Sequence, residues 1–137
     1  MSSQSSPLSD RKPPLPPRPV FLDLWRIRLP LPGVVSILHR ISGVLMVLAI
    51  PISAWLFGMA VTSETGFQRA TGWLNSPLIK LLLLVLMWSF LHHLFAGIRY
   101  LLMDLGYAVD LAAARRTAAL AAGIALVATL ILGGGLL

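Results

Sequence analysis

The chain has 137 residues, of which 57% are hydrophobic and only 12% are charged, and its formal net charge is +6. Soluble domains carry about 25% charged residues, so this composition predicts a single domain that lies largely in a membrane. The sequence contains no cysteine. This excludes covalent c-type haem attachment, iron–sulfur ligation and disulfides within this chain.

The N-terminal part of the sequence differs in composition from the rest. Residues 1–19 are rich in serine and proline, which predicts an extended, polyproline-like cytoplasmic tail. Residues 20–33 mix apolar side chains with Asp23, Arg26 and Arg28, a pattern typical of a segment at the membrane interface. We therefore divide the chain into this tail and one membrane-anchor domain over residues 20–137.

Three stretches are apolar enough to cross a bilayer. No Asp, Glu, Lys or Arg occurs within residues 41–63, 81–98 or 117–137, and about 20 such residues span the hydrocarbon layer. These stretches predict helices over residues 34–61, 77–103 and 117–137, with a short polar connector between the first and the second. The predicted fold is an all-α integral membrane protein.

The basic residues favour one side of this three-helix arrangement. Only Arg69 and Lys80 lie on the side of the first connector, whereas most of the others precede the first helix or follow the second. By the positive-inside rule, the N-terminus and the second loop are predicted to lie in the cytoplasm and the C-terminus outside. The start of the first helix and the end of the second then lie at the same depth.

His93 lies inside the second predicted helix, roughly 15 Å from its cytoplasmic end. An imidazole in lipid needs a hydrogen-bond partner or a metal, and haem iron binds imidazole without covalent attachment to the protein. Gly97, one turn later, leaves room for a flat ring or a neighbouring helix. We predict that His93 is an axial haem ligand; the alternative is a hydrogen bond to another helix. His92 projects about 100° away, and a contact with a neighbouring helix explains it better.

The stretch SILHRISG carries polar side chains into the first helix. Ser36, Arg40 and Gly43 share one stripe of this helix, and His39 is displaced by about 100°. An arginine within a membrane helix costs roughly 2.5–3.5 kcal/mol at the helix centre and less nearer the surface, and a haem propionate or a quinone oxygen would offset the cost. The alternative is a side chain that reaches the lipid phosphates. Arg99 lies at a matching depth on the second helix, and this second arginine favours a bound ligand over contact with lipid phosphates as the explanation of Arg40.

Two of these segments together resemble a known family. Residues 18–44, RPVFLDLWRIRLPLPGVVSILHRISGV, and residues 93–107, HLFAGIRYLLMDLGY, resemble the cytochrome b membrane anchors of succinate dehydrogenase, the larger of its two anchor subunits. The patterns S-x-x-H-R-x-[ST]-G and H-x3-G-x-R-x4-D carry the resemblance, which extends from about residue 18 to the end of the chain.

The resemblance implies a four-subunit complex. A flavoprotein oxidises succinate, an iron–sulfur subunit carries the electrons, and two anchor subunits hold one haem b and reduce ubiquinone. This chain would then form half of a haem-binding helical bundle with the small anchor subunit. Succinate oxidation would not reside in it, because nothing in the sequence is typical of a flavin or dicarboxylate site.

The resemblance also implies roles for the residues around the haem. His93 matches an axial ligand of the haem iron, with the other ligand supplied by the small anchor. His39 and Arg99 match residues near the haem propionates. Tyr100 stands where some relatives have histidine, so the sequence departs from the family pattern on this side of the haem propionates. His92 matches no residue with an assigned role.

A second set of matched residues concerns the quinone. Ser36 and Arg40 match residues that line the quinone pocket, where arginine would stabilise negative charge on the partly reduced quinone and serine would hydrogen-bond a carbonyl oxygen. Asp104 matches an aspartate near the route from quinone to solvent. By itself, a lone carboxylate at this rim is as well explained as a surface residue.

Two alternatives remain open at this point. The first is the related anchor of a quinol:fumarate reductase, in which electrons flow in the opposite direction. The second is a haem-free scaffold that only tethers soluble subunits, and His93 and the two arginines within the membrane argue against it.

Overall fold

The computed structural model describes residues 28–135. This part of the chain forms four helices: α1 (Leu31–Thr62), α2 (Glu64–Leu74), α3 (Pro77–Asp104) and α4 (Leu111–Gly133). Of these, α1, α3 and α4 are long and apolar enough to cross a membrane. The all-α fold with three spanning helices is therefore confirmed, whereas the predicted tail and most of the predicted interfacial segment lie outside the described residues.

Helix α1 begins three residues earlier than predicted. Pro30 is the N-cap and Pro32 lies in the first turn, where a helix needs no backbone N–H donor, so this proline does not delay the start. Helix α4 also begins early, at Leu111 instead of residue 117. The carboxylate of Asp110 accepts a hydrogen bond from the backbone N–H of Ala113 at 2.9 Å and caps this end.

Helix α2 occupies the connector between the first two spans and was not predicted. Ser63 caps its start, with the hydroxyl oxygen accepting the N–H of Gly66 at 3.0 Å. Gly66 and Ala70 are buried against α1, whereas Trp73 is exposed and lies 5.3 Å, centroid to centroid, from the ring of Trp55 on α1. The connector is thus a short amphipathic helix that packs over the end of α1.

Helix α3 is the centre of the bundle and packs on both α1 and α4. Small side chains allow a close approach, because the core contains Val35, Ala96 and Ala118, with one residue from each spanning helix. The outward faces of the three spans consist largely of exposed aliphatic and aromatic side chains, as lipid contact requires.

Helices α1 and α3 bring the two predicted motifs to the same end of the bundle. The ring of His39 on α1 lies 5.3 Å from the ring of Tyr100 on α3. The expected juxtaposition of the start of α1 with the end of α3 is therefore confirmed.

Candidate haem and quinone site

The imidazole of His93 is held between α3 and α1. Its ring stacks on the ring of His39, with centroids 3.9 Å apart and planes 13° from parallel. The Nδ1 atom of His93 lies 3.0 Å from the backbone carbonyl oxygen of His39 and 3.2 Å from the hydroxyl oxygen of Ser42.

These contacts determine which nitrogen of His93 carries a proton. A carbonyl oxygen only accepts hydrogen bonds, so Nδ1 must be the donor and the ring is protonated there. No described residue forms a hydrogen bond with Nε2, whose lone pair is therefore available. A metal-binding histidine has this arrangement, with one nitrogen bonded to a carbonyl and the other free to bind.

A groove lies beside this imidazole. It has a volume of about 490 Å³ and is lined by His93, His39, Arg40 and Gly43, and by apolar side chains of α1 between residues 44 and 48. Ligand sites typically measure about 300–1,000 Å³ and combine apolar walls with a few polar groups. The free nitrogen, the apolar wall and the cation of Arg40 together fit a haem, with Arg40 available to a propionate.

Gly43 makes the close approach of α1 to His93 possible. A Cβ atom at this position would lie only 3.0 Å from Cε1 of His93 and 3.4 Å from Nδ1. At Gly97, a Cβ atom would lie 3.6 Å from Nε2 of His39, so the space that this glycine leaves is next to the His39 ring.

His39 and His93 do not form a pair of ligands for one metal ion. The rings of His39 and His93 are stacked face to face, so they cannot bind the two opposite faces of a single iron atom. Nor does any group of three or more His, Cys, Asp and Glu side chains come together within residues 28–135. The described residues therefore do not form a metal site by themselves, and a second haem ligand from another chain stays a prediction.

Ser36 and Arg40 lie one turn apart on α1. Ser36 is half-buried and Arg40 is exposed, and the arginine lines the same groove as His93. Asp104 is the last residue of α3 and is exposed at the same end of the bundle. Their roles in quinone binding remain predictions, and the structure brings Arg40 beside the histidine pair.

Arg99 is buried and bonded to α4. Its Nε donates to the hydroxyl oxygen of Thr117 at 3.0 Å, and Nη2 donates to the carbonyl oxygen of Ala114 at 3.1 Å. Nη1 has no partner among the described residues. The guanidinium is thus held on the α4 side of α3, and its predicted place near the haem propionates remains a prediction.

His92 points away from the groove. It is 1% exposed and stacks on Trp88 one turn earlier, with centroids 5.0 Å apart. Neither ring nitrogen has a partner within residues 28–135, and the same holds for the buried hydroxyl of Tyr100. Although it is adjacent to His93 in sequence, His92 does not line the groove.

Ser42 is the residue that the sequence interpretation left without a role. Its side chain is completely buried, and its hydroxyl donates to the carbonyl oxygen of His39 at 2.8 Å. The signal was present, because Ser42 occupies the [ST] position of the pattern S-x-x-H-R-x-[ST]-G.

Comparisons with known proteins identify similar sequences. The sequence model of the family described as "Succinate dehydrogenase/Fumarate reductase transmembrane subunit" matches residues 14–132. A protein of Paracoccus denitrificans named "Succinate dehydrogenase cytochrome b556 subunit" is 37% identical over 116 residues, which cover 84% of this chain and 89% of the relative. Proteins of the same name from Coxiella burnetii and Rickettsia felis are 40% identical over 96 residues and 32% identical over 100 residues. The match to the Coxiella burnetii protein covers 66% of this chain and 73% of the relative. The match to the Rickettsia felis protein covers 73% of this chain and 77% of the relative.

Proposed function

Because the chain belongs to the family of succinate dehydrogenase and fumarate reductase transmembrane subunits, we propose that it is the cytochrome b anchor of a succinate:quinone oxidoreductase. In this role it binds one haem b, shared with a small anchor subunit, and contributes to a ubiquinone-reducing site. The name carried by the relatives supports succinate oxidation over fumarate reduction as the direction.

The observation that carries this proposal is the groove beside His93, an imidazole whose Nδ1 is bonded to the His39 carbonyl oxygen and whose Nε2 has no hydrogen bond to a described residue. The bond to the carbonyl oxygen favours the tautomer with the proton on Nδ1, and His93 lines a groove that has apolar walls and a cation. A helix that served only as a tether would need no oriented imidazole at this position. When bound, the haem supplies a one-electron redox centre inside the membrane.

The polar residues of α1 have separate tasks in this proposal. Arg40 holds a fixed positive charge beside the groove and attracts a carboxylate or a partly reduced quinone oxygen. Ser36, one turn nearer to the start of α1, hydrogen-bonds a quinone oxygen. Asp104, at the exposed end of α3, exchanges protons with the solvent.

The wider setting follows from the same proposal. The chain anchors a flavoprotein and an iron–sulfur subunit to a bacterial inner membrane and takes part in respiration and the tricarboxylic acid cycle. The end of the bundle that holds Ser36 and Asp104 faces the cytoplasm, and so does the N-terminus, as the distribution of basic residues indicates.

The test is a reduced-minus-oxidised visible spectrum of the purified complex, with His93→Ala beside the wild type. His92→Phe is the matched control, because it removes the neighbouring imidazole and retains an aromatic ring next to Trp88. We expect low-spin b-type bands in the wild type and the control and their loss in His93→Ala. Unchanged bands in His93→Ala, or loss only in His92→Phe, would refute His93 as the ligand, and a wild type without haem bands would refute the cytochrome.

A further inference from the structure

The side chain of Ser42 is completely buried, although its hydrogen bond within α1 does not require contact with another helix. A serine within a helix commonly donates back to a carbonyl in the preceding turn, and the 2.8 Å bond to His39 is of this kind. That bond needs no partner from another helix. Yet Ser42 faces α3 with no exposed surface, and its oxygen lies 3.2 Å from Nδ1 of His93.

The protons around Nδ1 of His93 can be assigned completely. The Ser42 hydroxyl proton is directed to the carbonyl oxygen of His39, so the lone pairs of the hydroxyl oxygen are available to Nδ1. The N–H at Nδ1 therefore has two acceptors, the His39 carbonyl oxygen at 3.0 Å and the Ser42 oxygen at 3.2 Å. In the other tautomer, a lone pair on Nδ1 would face the lone pairs of the carbonyl oxygen, which is repulsive.

The same contacts fix the plane of the His93 ring. A half-turn of the imidazole about its bond to Cβ would replace Nδ1 by a carbon atom, and both hydrogen bonds would be lost. The stacked ring of His39, 3.9 Å away, restricts tilting. Ser42 and His39 thus hold one tautomer and one orientation of the imidazole from a helix other than its own.

We propose that Ser42 is a positioning residue for the haem ligand His93. It holds the proton on Nδ1, increases the electron-donating strength of Nε2 and fixes the ring plane relative to the haem. This inference rests on the proposed function, since it assumes that His93 binds haem, and it adds a residue to which no role was assigned.

The test compares three substitutions in the intact complex. Ser42→Val keeps the side-chain volume near that of threonine but has no hydroxyl, and Ser42→Thr restores the hydroxyl. Ser89→Val is the matched control, because Ser89 is also completely buried and donates to a carbonyl of its own helix, that of Val85, at 2.8 Å. Three quantities are measured: haem retained on dilution, the haem midpoint potential and the low-spin electron paramagnetic resonance signal.

We expect Ser42→Val to lower haem affinity by about 10- to 100-fold, the usual effect of removing a group that orients a metal ligand. Its midpoint potential should rise, because a less electron-rich imidazole stabilises the oxidised iron less. Its resonance signal should shift or broaden as the ring plane becomes less fixed. Ser42→Thr and Ser89→Val should resemble the wild type in all three measurements.

Two results would overturn the inference. One is a Ser42→Val complex with wild-type affinity, potential and resonance signal. The other is an equal change in Ser89→Val, which would show that only buried packing is affected. If Ser42→Val does not assemble, the smaller Ser42→Ala provides the same comparison. His93→Ala separates this inference from the proposed function: if it lacks haem while Ser42→Val behaves as wild type, only the role of Ser42 fails.

Discussion

Replacing Gly43 with alanine tests how closely α1 must approach His93, the proposed haem ligand. The added Cβ would lie 3.0 Å from Cε1 of His93, whereas carbon atoms in favourable contact are separated by about 3.5–4.0 Å. The imidazole must therefore retreat by roughly half an ångström. This movement would lengthen the hydrogen bond from Nδ1 to the His39 carbonyl or move Nε2 in the groove.

The expected cost can be stated as an affinity. Overpacking by a single methyl group costs about 1–3 kcal/mol. Without haem, the His93 ring can rotate away from the methyl group, but with haem bound it must hold its position, so most of the cost falls on haem binding. At about 1.4 kcal/mol for each factor of ten, Gly43→Ala should weaken haem binding by roughly 5- to 150-fold.

Two other glycines provide graded controls. A Cβ at Gly58, also on α1, would meet no atom within 4 Å, so Gly58→Ala should retain wild-type affinity. A Cβ at Gly97 would lie 3.6 Å from Nε2 of His39, an ordinary contact, so Gly97→Ala should have only a small effect. The assay is the haem content of the solubilised complex during serial dilution. Wild-type retention in Gly43→Ala, or equal losses in all three variants, would refute the reasoning.

Three further predictions follow from other contacts. Ser36→Ala should lower quinone reduction about 2- to 10-fold and leave succinate–dye activity intact, with Ile37→Ala as control; equal loss of both activities would contradict the quinone role. Thr117→Val removes the acceptor of a buried arginine N–H and should cost about 1–2 kcal/mol, seen as a lower unfolding temperature; an unchanged unfolding temperature would contradict this. Gly66→Ala should destabilise the α1–α2 contact by about 1–3 kcal/mol, because its Cβ meets a backbone carbonyl of α1, whereas Gly72→Ala should not; equal unfolding temperatures would refute this.

The spanning helices could be predicted because the hydrocarbon layer excludes charge over a fixed length. Helix boundaries depend on local hydrogen bonds, and the Asp110 cap extended α4 into a segment that had been assigned to the loop. The sequence does not predict helix α2, because the helix has only 11 residues and its composition is as polar as that of a loop between two spanning helices. Its helical period was visible in the sequence, since Gly66, Ala70 and Trp73 share one face.

The site was predicted in part. Spacing along α1 and α3 predicts polar side chains at one end of the bundle, and His93, Arg40 and Gly43 line one groove there, whereas their roles stay predictions. The rotation of α3 about its axis relative to α4 cannot be obtained from spacing within α3, and for this reason the bonds between Arg99 and α4 were not foreseen. Ser42 was overlooked because one hydroxyl in an apolar helix is usually explained by a bond to its own backbone.

The hydrogen bonds of Arg99 also bear on how the chain enters the membrane. An arginine within a membrane helix makes insertion costly, by up to roughly 2.5–3.5 kcal/mol at the helix centre on translocon scales and by less near the end, where Arg99 lies. Both acceptors of this arginine, the Ala114 carbonyl and the Thr117 hydroxyl, belong to the next helix to be synthesised, after a short turn. Helices α3 and α4 therefore form a hairpin that supplies polar partners for its own arginine, so the cost of placing Arg99 in the membrane is offset within one chain.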